Sequence, residues 1–171
     1  MTQCVGFGPV SRPDARMLIL GTLPGAESLK QRQYYARKQN GFWKIMGELT
    51  GAAPDPPYKE RLGGLTKNGI ALWDVCASAR RKGSLDADIK SEKFNDFISF
   101  FKKHKNIKLI CFNGREAEKK FRIHIMPKIS DRIFEFRSLP STSPAYAGMP
   151  YKQKLARWRA ALESVVKANA F

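Results

Sequence analysis

The segment Met17-Leu-Ile-Leu-Gly21-Thr-Leu-Pro-Gly25 places a short apolar run directly before a loop with two glycines around a proline. An apolar run of this length that ends in glycine is typical of a strand buried on both faces. The glycines and the proline favour a tight turn that lets the backbone approach a ligand closely. The loop is not a phosphate-cradling loop, because the Gly-Lys-Ser/Thr sequence of such loops is missing. The segment therefore predicts a buried strand followed by a ligand-facing turn.

Further strands alternate with helices along the rest of the chain. Strands are predicted over residues 69–75, 107–112 and 132–137, and loops over residues 51–57 and 138–150. Helices are predicted from about Ser28, over residues 41–49 and 114–121, and from about Tyr151. A further helix is predicted after Ser91, which could cap it, with Phe94 and Phe97 on its apolar face. Four strands alternating with helices predict a three-layer α/β/α sandwich around a four-stranded parallel sheet, in a single domain over residues 1–171.

The composition points to a polyanion as the partner. The 171 residues include 31 Lys+Arg and 15 Asp+Glu, so the formal net charge is +16, and 43% hydrophobic residues are enough for an ordinary core. Such a charge favours nucleic acid first and an anionic membrane surface second, with a merely solubilising surface as the plain alternative. No apolar run could span a bilayer and no terminal basic amphipathic helix is visible, so we expect no membrane partner.

Cysteine usage predicts a cytoplasmic protein without a metal. Cys4, Cys76 and Cys111 are odd in number and widely spaced, which is typical of reduced thiols. The first sixteen residues show no basic region followed by an apolar stretch, so no secretory signal is expected. Without a CxxC or HExxH pattern, and with only two histidines, the sequence predicts no zinc, no iron–sulfur cluster and no other cofactor.

The residues that follow the predicted strands are polar or aromatic. Ligands of open parallel sheets bind at the carboxyl ends of the strands. Asp74 follows the second strand, Asn113 the third and a Ser/Pro-rich loop the fourth, while a tyrosine pair and Asn40 come after the first. Aromatic faces to stack on and amide or carboxylate groups to read an edge suit a flat heterocycle, so we expect a nucleobase pocket.

Three motifs together resemble the uracil-DNA glycosylase superfamily: Gly21-Thr-Leu-Pro-Gly25, Asn40-Gly-Phe-Trp-Lys44 and Leu139-Pro-Ser-Thr-Ser-Pro-Ala145. The resemblance runs in order from about residue 17 to 165 and is nearest to the mismatch-specific uracil/thymine and hypoxanthine-type DNA glycosylases. It implies that the partner is DNA with a deaminated base, and that the flipped base is hydrolysed off by water without a metal, leaving an abasic site. Uracil is the first expected substrate, with hypoxanthine as the alternative.

The resemblance also implies catalytic roles. In the mismatch-specific group the third residue of the first motif is an Asn that positions the attacking water, but Leu23 stands here and cannot do so. The hypoxanthine-type enzymes use the Asn of the second motif, so Asn40 is the expected water-positioning residue. Ser141 occupies the place of the His or Asn that stabilises the departing base, and the backbone N–H groups of Thr22 and Leu23 are expected to help.

Binding roles follow in the same way. The residues expected to contact the base are Gly21, Tyr35, Asp74 and Asn113; Tyr35 falls where the family places a stacking aromatic, and Asp74 near the usual base-reading Asn. The residues expected to contact DNA are Arg80, Gly83, Ser84, Ser143 and Tyr146; Ser143 matches a phosphate-gripping serine, and Tyr146 is expected to insert into the base stack.

Structural interpretations of the same residues remain open. Asn40 and Asn113 could each cap the helix that follows, and Asp74 could bond only to backbone. Asp86 and Asp88 are interpreted as structural, as are Phe42, Trp43 and Tyr34, which favour packing. The Arg80–Lys82 run is interpreted as solvated or as a phosphate contact.

Two function classes therefore remain. The first is a monofunctional glycosylase, because no lysine stands out at a strand end as a Schiff-base nucleophile. The second is a damaged-DNA binding module that kept the pocket and lost catalysis. A flavodoxin-like protein that binds small nucleotides is a third, less favoured possibility. A monomer is the default expectation, since no oligomerisation surface is visible.

Overall fold

The computed structural model describes residues 1–50 and 55–166. In this part of the chain seven strands form two sheets, and six α-helices accompany them. In chain order the elements are β1 (Thr2–Val5), β2 (Met17–Gly21), α1 (Ala26–Gln31), α2 (Phe42–Thr50), α3 (Tyr58–Lys67), β3 (Ile70–Asp74), β4 (Cys76–Arg81), β5 (Lys90–Phe94), α4 (Phe97–Lys103), β6 (Leu109–Asn113), α5 (Arg115–His124), β7 (Glu135–Leu139) and α6 (Tyr151–Val166).

The larger sheet is the predicted one. Its four strands are parallel and lie in the order β3-β2-β6-β7. Every residue of β2, β3 and β6 is buried, as expected for parallel strands covered on both faces. Val10 pairs with Leu72 and covers the outer edge of β3. The chain leaves β2 for β3 on one side and later returns for β6 on the other. The crevice at the carboxyl end of β2 is therefore a topological switch point, where ligands of such sheets bind.

Helices cover both faces of the parallel sheet, which confirms the predicted α/β/α sandwich. Met17 and Ile19 of β2 pack in one core cluster with residues of α2, α3 and α6. Leu18 and Leu20 point the other way and pack with residues of α4 and α5. This division follows from the two-residue period of a strand, which sends alternate side chains to opposite faces.

The smaller sheet was not predicted from the sequence. Its strands are antiparallel in the order β1-β4-β5, and Val75 alone separates β4 from the end of β3. Beneath it lies a small core that includes Cys4, Leu23, Cys76 and Ala79. Because β4 starts where β3 ends, the smaller sheet stands beside the carboxyl ends of the parallel strands.

The predicted start of the helix after Ser91 is wrong. Ser91 lies in β5 with a φ of 53°, and β5 pairs with β4 through Phe94 and Lys93. The helix begins instead at Phe97, where the Asp96 carboxylate accepts a hydrogen bond from the Ser99 N–H at 3.0 Å. Strand pairing and a better acceptor five residues later thus outweigh the Ser91 cap signal.

Other predicted boundaries also move. The fourth strand begins at Glu135, whose N–H donates to the Lys108 carbonyl. The Arg132 guanidinium, before the strand, donates to the carbonyl groups of Phe101, Lys105 and Ile107. Helix α3 was not predicted, and the first four residues of the predicted loop 51–57 lie outside the described residues. The described helices are all too short or too polar to cross a membrane.

Candidate active site

The carboxyl ends of β2 and β3 meet side by side. Gly21 pairs with Asp74 in the sheet register. A Cβ atom placed on Gly21 would lie 2.5 Å from Asp74 Oδ1 and 2.9 Å from Tyr35 Oη. Both distances are too short for real contacts, so glycine is required here by the close approach of the two polar groups. Three of the four predicted base-contacting residues therefore lie together.

Tyr35 contributes a hydroxyl to this pocket. Its backbone has a φ of 55°, which is uncommon for a residue with a side chain, and its ring stacks on Phe42 at a centroid distance of 4.0 Å. Phe42 therefore covers one face of the Tyr35 ring. Burial is the main cause that raises the pKa of the Tyr35 hydroxyl well above its usual range, so this hydroxyl stays protonated.

Polar atoms without a partner are concentrated in this pocket. Within residues 1–50 and 55–166, the buried side-chain atoms that lack a hydrogen bond are Thr22 Oγ1, Tyr35 Oη, Asp74 Oδ2 and Arg81 Nη1. Each such atom costs about 1 to 3 kcal/mol if nothing pairs with it. Four of them in one place indicate a site that is completed by a polar ligand.

Asp74 is a buried carboxyl group in this cluster. Burial is the main cause that raises its pKa to about 8, and the Asp86 carboxylate adds to the increase while Arg81 opposes it. At neutral pH the group is therefore mostly protonated and offers one donor and one acceptor side by side. The sequence interpretation gave Asp74 a contact to the base or a bond to the backbone, and it did not indicate this donor.

Arg81 and Asp86 also belong to the pocket, although the sequence gave them no role there. The Arg81 side chain donates to the carbonyl oxygens of Pro24 and Gly83, and the residue is only 1% exposed. Its Nη1 lies 3.9 Å from Asp86 Oδ1. Burial raises the pKa of the Asp86 carboxyl above its usual range, while the Thr22 hydroxyl and Arg81 oppose this increase. No local pattern distinguishes Arg81 from the neighbouring Arg80 and Lys82, so the sequence could not place it inside.

Asn113 does not cap the following helix; that interpretation is wrong. Gly114 stands at the cap position of α5 without a side-chain cap. The Asn113 amide instead exchanges two hydrogen bonds with Thr142: Nδ2 donates to Thr142 Oγ1 and Oδ1 accepts from the Thr142 N–H, both at 2.9 Å. The Thr142 carbonyl also accepts from the Gly41 N–H at 3.0 Å. Thr142, which sequence reasoning passed over, joins the second and third motifs to β6.

Asn40 has the backbone role that the sequence suggested beside catalysis. Its Oδ1 accepts a hydrogen bond from the Phe42 N–H at 3.0 Å, just before α2. This bond fixes the amide rotamer, and the Gly41–Thr142 bond holds the same segment against the third motif. The catalytic role of Asn40 stays a prediction. Phe42 and Trp43 are buried packing residues, and so is Tyr34, whose hydroxyl donates to the Gly8 carbonyl.

The serines of the third motif shape their own loop. Ser141 Oγ accepts from the Ser143 N–H and Ser143 Oγ accepts from the Ala145 N–H, both at 3.2 Å. Tyr146 is 43% exposed, and its carbonyl accepts a hydrogen bond from the buried Lys154 at 2.7 Å. The loop therefore presents Tyr146 on the surface, in agreement with a contact to DNA, which stays a prediction.

Leu23 cannot line the pocket with its side chain. It is 6% exposed and packs in the core of the smaller sheet, so only its backbone remains available for the role predicted for it. Arg80 near the end of β4 is exposed, and so are Gly83 and Ser84 in the loop that follows. Ser84 Oγ accepts a hydrogen bond from the Ala26 N–H at 3.0 Å at the start of α1. The predicted DNA-contacting residues after β4 thus adjoin the first motif.

Comparison with known proteins identifies the family. A model of the Uracil DNA glycosylase superfamily matches residues 8–165. The chain belongs to the uracil DNA glycosylase superfamily. The matched region covers nearly the whole chain. The protein is therefore placed among the DNA glycosylases, which are hydrolases of DNA repair.

Relatives of this glycosylase point in the same direction. The chain is 38% identical to a hypoxanthine DNA glycosylase of Methanosarcina acetivorans over 141 residues, which cover 82% of this chain and 86% of the relative. It is 39% identical to a hypoxanthine DNA glycosylase of Methanosarcina barkeri over 113 residues, 66% of this chain and 72% of the relative. A solution NMR structure from M. acetivorans, of a candidate uracil DNA glycosylase, superposes with a TM-score of 0.81 at 33% identity and covers 96% of this chain and 99% of its own.

Proposed function

We propose that this protein is a monofunctional hypoxanthine-DNA glycosylase, which hydrolyses the N-glycosidic bond of a flipped hypoxanthine and leaves an abasic site. The observation that carries the proposal is the shared name of the two curated relatives, which favours hypoxanthine over uracil, the first expectation from the sequence. The pocket supports the proposal through its chemistry, because its unpaired groups match the polar edge of a deaminated base.

Recognition centres on Asp74. Hypoxanthine presents a ring N–H beside a carbonyl oxygen on one edge. A protonated carboxyl group presents an acceptor and an O–H donor at the same spacing, so the two can exchange a pair of hydrogen bonds. Asp74 Oδ2 and Tyr35 Oη are buried without partners and are available for such bonds. Uracil carries the same edge, so selection between the two bases falls to the shape of the pocket.

Catalysis requires an oriented water and a stabilised leaving base. One lone pair of Asn40 Oδ1 is held by the Phe42 N–H, which fixes the amide and leaves a second lone pair to orient water. The departing purine gains negative charge, which the neutral Asp74 carboxyl and the backbone N–H groups of Thr22 and Leu23 can stabilise as donors. Water is the nucleophile, and neither a metal nor another cofactor takes part.

The basic surface would supply the binding energy for base extrusion. Extruding a base from the duplex costs a few kcal/mol. A net charge of +16 favours release of counterions from the DNA backbone, and the exposed residues Arg80, Ser84 and Tyr146 are the expected contacts to DNA. We expect the protein to act as a monomer, with binding that weakens steeply as salt increases.

The test uses duplexes that each carry one hypoxanthine, uracil or mismatched thymine, with an undamaged adenine duplex as the control. Protein in excess is incubated with each duplex, and alkali-induced strand breaks report abasic sites. We expect excision of hypoxanthine at least about tenfold faster than that of uracil, a difference of roughly 1.4 kcal/mol in barrier. Faster excision of uracil would contradict the proposal. Salt-sensitive binding without any excision would instead favour a damaged-DNA binding module.

A further inference from the structure

Helix α6 holds the loop of the third motif at two points. The Trp158 indole N–H donates to the Pro140 carbonyl at 3.0 Å, and Lys154 Nζ donates to the Tyr146 carbonyl at 2.7 Å. Both side chains are buried, and they lie one helical turn apart on the same face of α6. The two ends of the segment from Pro140 to Tyr146 are therefore fixed to one rigid element.

A tight turn inside this segment fixes the rest of the Tyr146 backbone. The Tyr146 N–H donates to the Ser143 carbonyl at 3.0 Å, and Pro144 stands at the second position of the turn, which its fixed φ favours. The N–H and the carbonyl of Tyr146 thus both have partners, although the residue is 43% exposed. The loop presents an exposed aromatic side chain on a backbone that has little freedom to move.

Lys154 is an unfavourable residue at its own position. It is 9% exposed and lies in the first turn of α6, where the helix dipole opposes a positive charge. Within the described residues no carboxylate forms an ion pair with it. Its Nζ instead contacts Tyr146 twice, through the carbonyl and through the ring, whose centroid is 5.0 Å away.

These two contacts indicate what the buried lysine is for. A cation buried without an acid partner is costly to desolvate, so a use beyond stability is expected. Burial lowers the pKa of Lys154, but the contact to the Tyr146 carbonyl needs only an N–H donor, which the amine has in either protonation state. The contacts of Lys154 therefore point to the placement of Tyr146.

We propose that Lys154 is a positioning residue that fixes Tyr146 in the conformation in which its ring enters the base stack of duplex DNA. The inference rests on the proposed function, since it assumes that a base is extruded and that Tyr146 contacts the DNA at that point. A side chain that is ordered before binding loses little further conformational entropy on binding, so opening of the stack becomes easier. In this role Lys154 acts through Tyr146 and not through a DNA phosphate.

The experiment is a double-mutant cycle on a duplex that carries the base preferred by the wild type. Lys154→Met removes the donor and nearly keeps the length of the side chain, and it should lower kcat/KM by about three- to tenfold. Tyr146→Ala should lower kcat/KM at least as much, and Lys154→Met should then cause no further loss in the Tyr146→Ala background. Equal losses in both backgrounds would overturn the inference, because Lys154 would then act independently of Tyr146.

Further variants separate positioning from charge and from the fold. Lys152→Met removes an exposed positive charge from the same turn of α6, and any loss that it causes should be the same with and without Tyr146→Ala. Lys154→Arg keeps a donor and a cation and should restore most of the activity. If Lys154→Met fails to fold in a thermal melt, Lys154→Gln takes its place in the cycle with the same expectations.

The dependence of DNA affinity on salt tests the competing role of a phosphate contact. Lys154→Met should leave the slope of log affinity against log salt unchanged, because the buried amine does not touch the DNA backbone. A slope that becomes shallower by about one would assign Lys154 to a phosphate and overturn the inference.

A fluorescence measurement separates this inference from the proposed function. The adenine analogue 2-aminopurine, placed beside hypoxanthine in a duplex, brightens when the stack opens and therefore reports extrusion without turnover. At saturating protein, Lys154→Met should reduce this signal, whereas Lys152→Met should not. A wild type that opens the stack but excises no base would contradict the proposed function alone. A wild type that leaves the stack closed, or an undiminished signal in Lys154→Met, would overturn the inference.

Discussion

The parallel sheet and the antiparallel sheet contribute to the same pocket in different ways. The parallel strands β2, β3 and β6 are completely buried and hold the backbone that positions Gly21, Asp74 and Asn113. The antiparallel strands are short and largely polar, and they supply Arg81 and the turn with Asp86. The larger sheet therefore provides stability and geometry, whereas the smaller one provides the charge environment.

The largest expected effect tests whether the larger sheet provides most of the stability. Ile19→Ala in β2 removes a fully buried side chain from the core and should lower the free energy of unfolding by about 4 kcal/mol. Val5→Ala in β1, where the residue is 62% exposed, should cost less than about 0.5 kcal/mol. Urea denaturation measures both. Equal losses would show that the smaller sheet is as much a part of the stabilising core as the larger one.

The second prediction concerns the catalytic contribution of Asn40, which lies in the segment that Thr142 joins to β6 of the larger sheet. Asn40→Ala should reduce the single-turnover rate on the preferred duplex by about 10²-fold, close to 3 kcal/mol, because no amide then orients the water. Asn40→Ser keeps an acceptor for the Phe42 N–H, so it should restore stability but not the rate.

Exposed Gln39→Ala is the control for Asn40 and should retain normal activity. Near-full activity in Asn40→Ala would rule out the catalytic role and leave this residue as a helix-start acceptor.

The third prediction uses the buried acid at the junction of the two sheets. Burial raises the pKa of Asp74 to about 8 in the folded protein. The unfolded chain loses this proton near pH 4, so the folded state binds more protons between about pH 4 and 8 and its stability falls as pH rises through that window. From pH 5 to pH 7 the contribution of Asp74 to this loss is about 2 to 3 kcal/mol, and Asp74→Asn should remove that contribution.

Thermal or urea unfolding at several pH values measures this slope, with Asp88→Asn as the matched exposed control. If Asp74→Asn has the same slope as the wild type, Asp74 does not hold its proton in the folded protein, and its role as a donor is lost.

The smallest expected effect tests the contact between the loop that follows β4 and the start of α1. Ser84→Ala removes the acceptor for the Ala26 N–H, which joins the loop after β4 to the start of α1. The bond is exposed, so we expect a loss of less than about 1 kcal/mol in unfolding free energy. DNA affinity should weaken by a few-fold in a titration at fixed salt. A larger loss of stability than of affinity would indicate that Ser84 serves the fold and not DNA.

The two sheets also differ in how far the sequence predicts them. Apolar runs such as Met17–Gly21 have no alternative to burial, so the parallel strands and the residues at their ends could be placed from the sequence. The polar strands resemble loops, because short half-exposed segments lack a clear hydrophobic period. Arg81 stands between Arg80 and Lys82, and only the pairing of β4 with its neighbours decides which of the three side chains is buried.

Contacts between distant segments limited the prediction of the site itself. Asn113 and Thr142 are 29 residues apart, and no local pattern indicates that they pair instead of Asn113 capping α5. The protonation state of Asp74 likewise depends on burial first and then on Asp86, which was interpreted from the sequence as a structural residue. Motif residues were therefore predictable, whereas the groups that orient or tune them required the tertiary structure.

Thr142 bonds to both Asn113 and Gly41, so segments from three parts of the chain are joined before any substrate arrives. A cavity assembled in advance spends little of the association energy on ordering itself. The residues that line this cavity also have little freedom to adapt to a nucleobase of a different shape. We therefore expect normal nucleotides to dissociate before they are fully bound, so that the protein spends little time on each normal base.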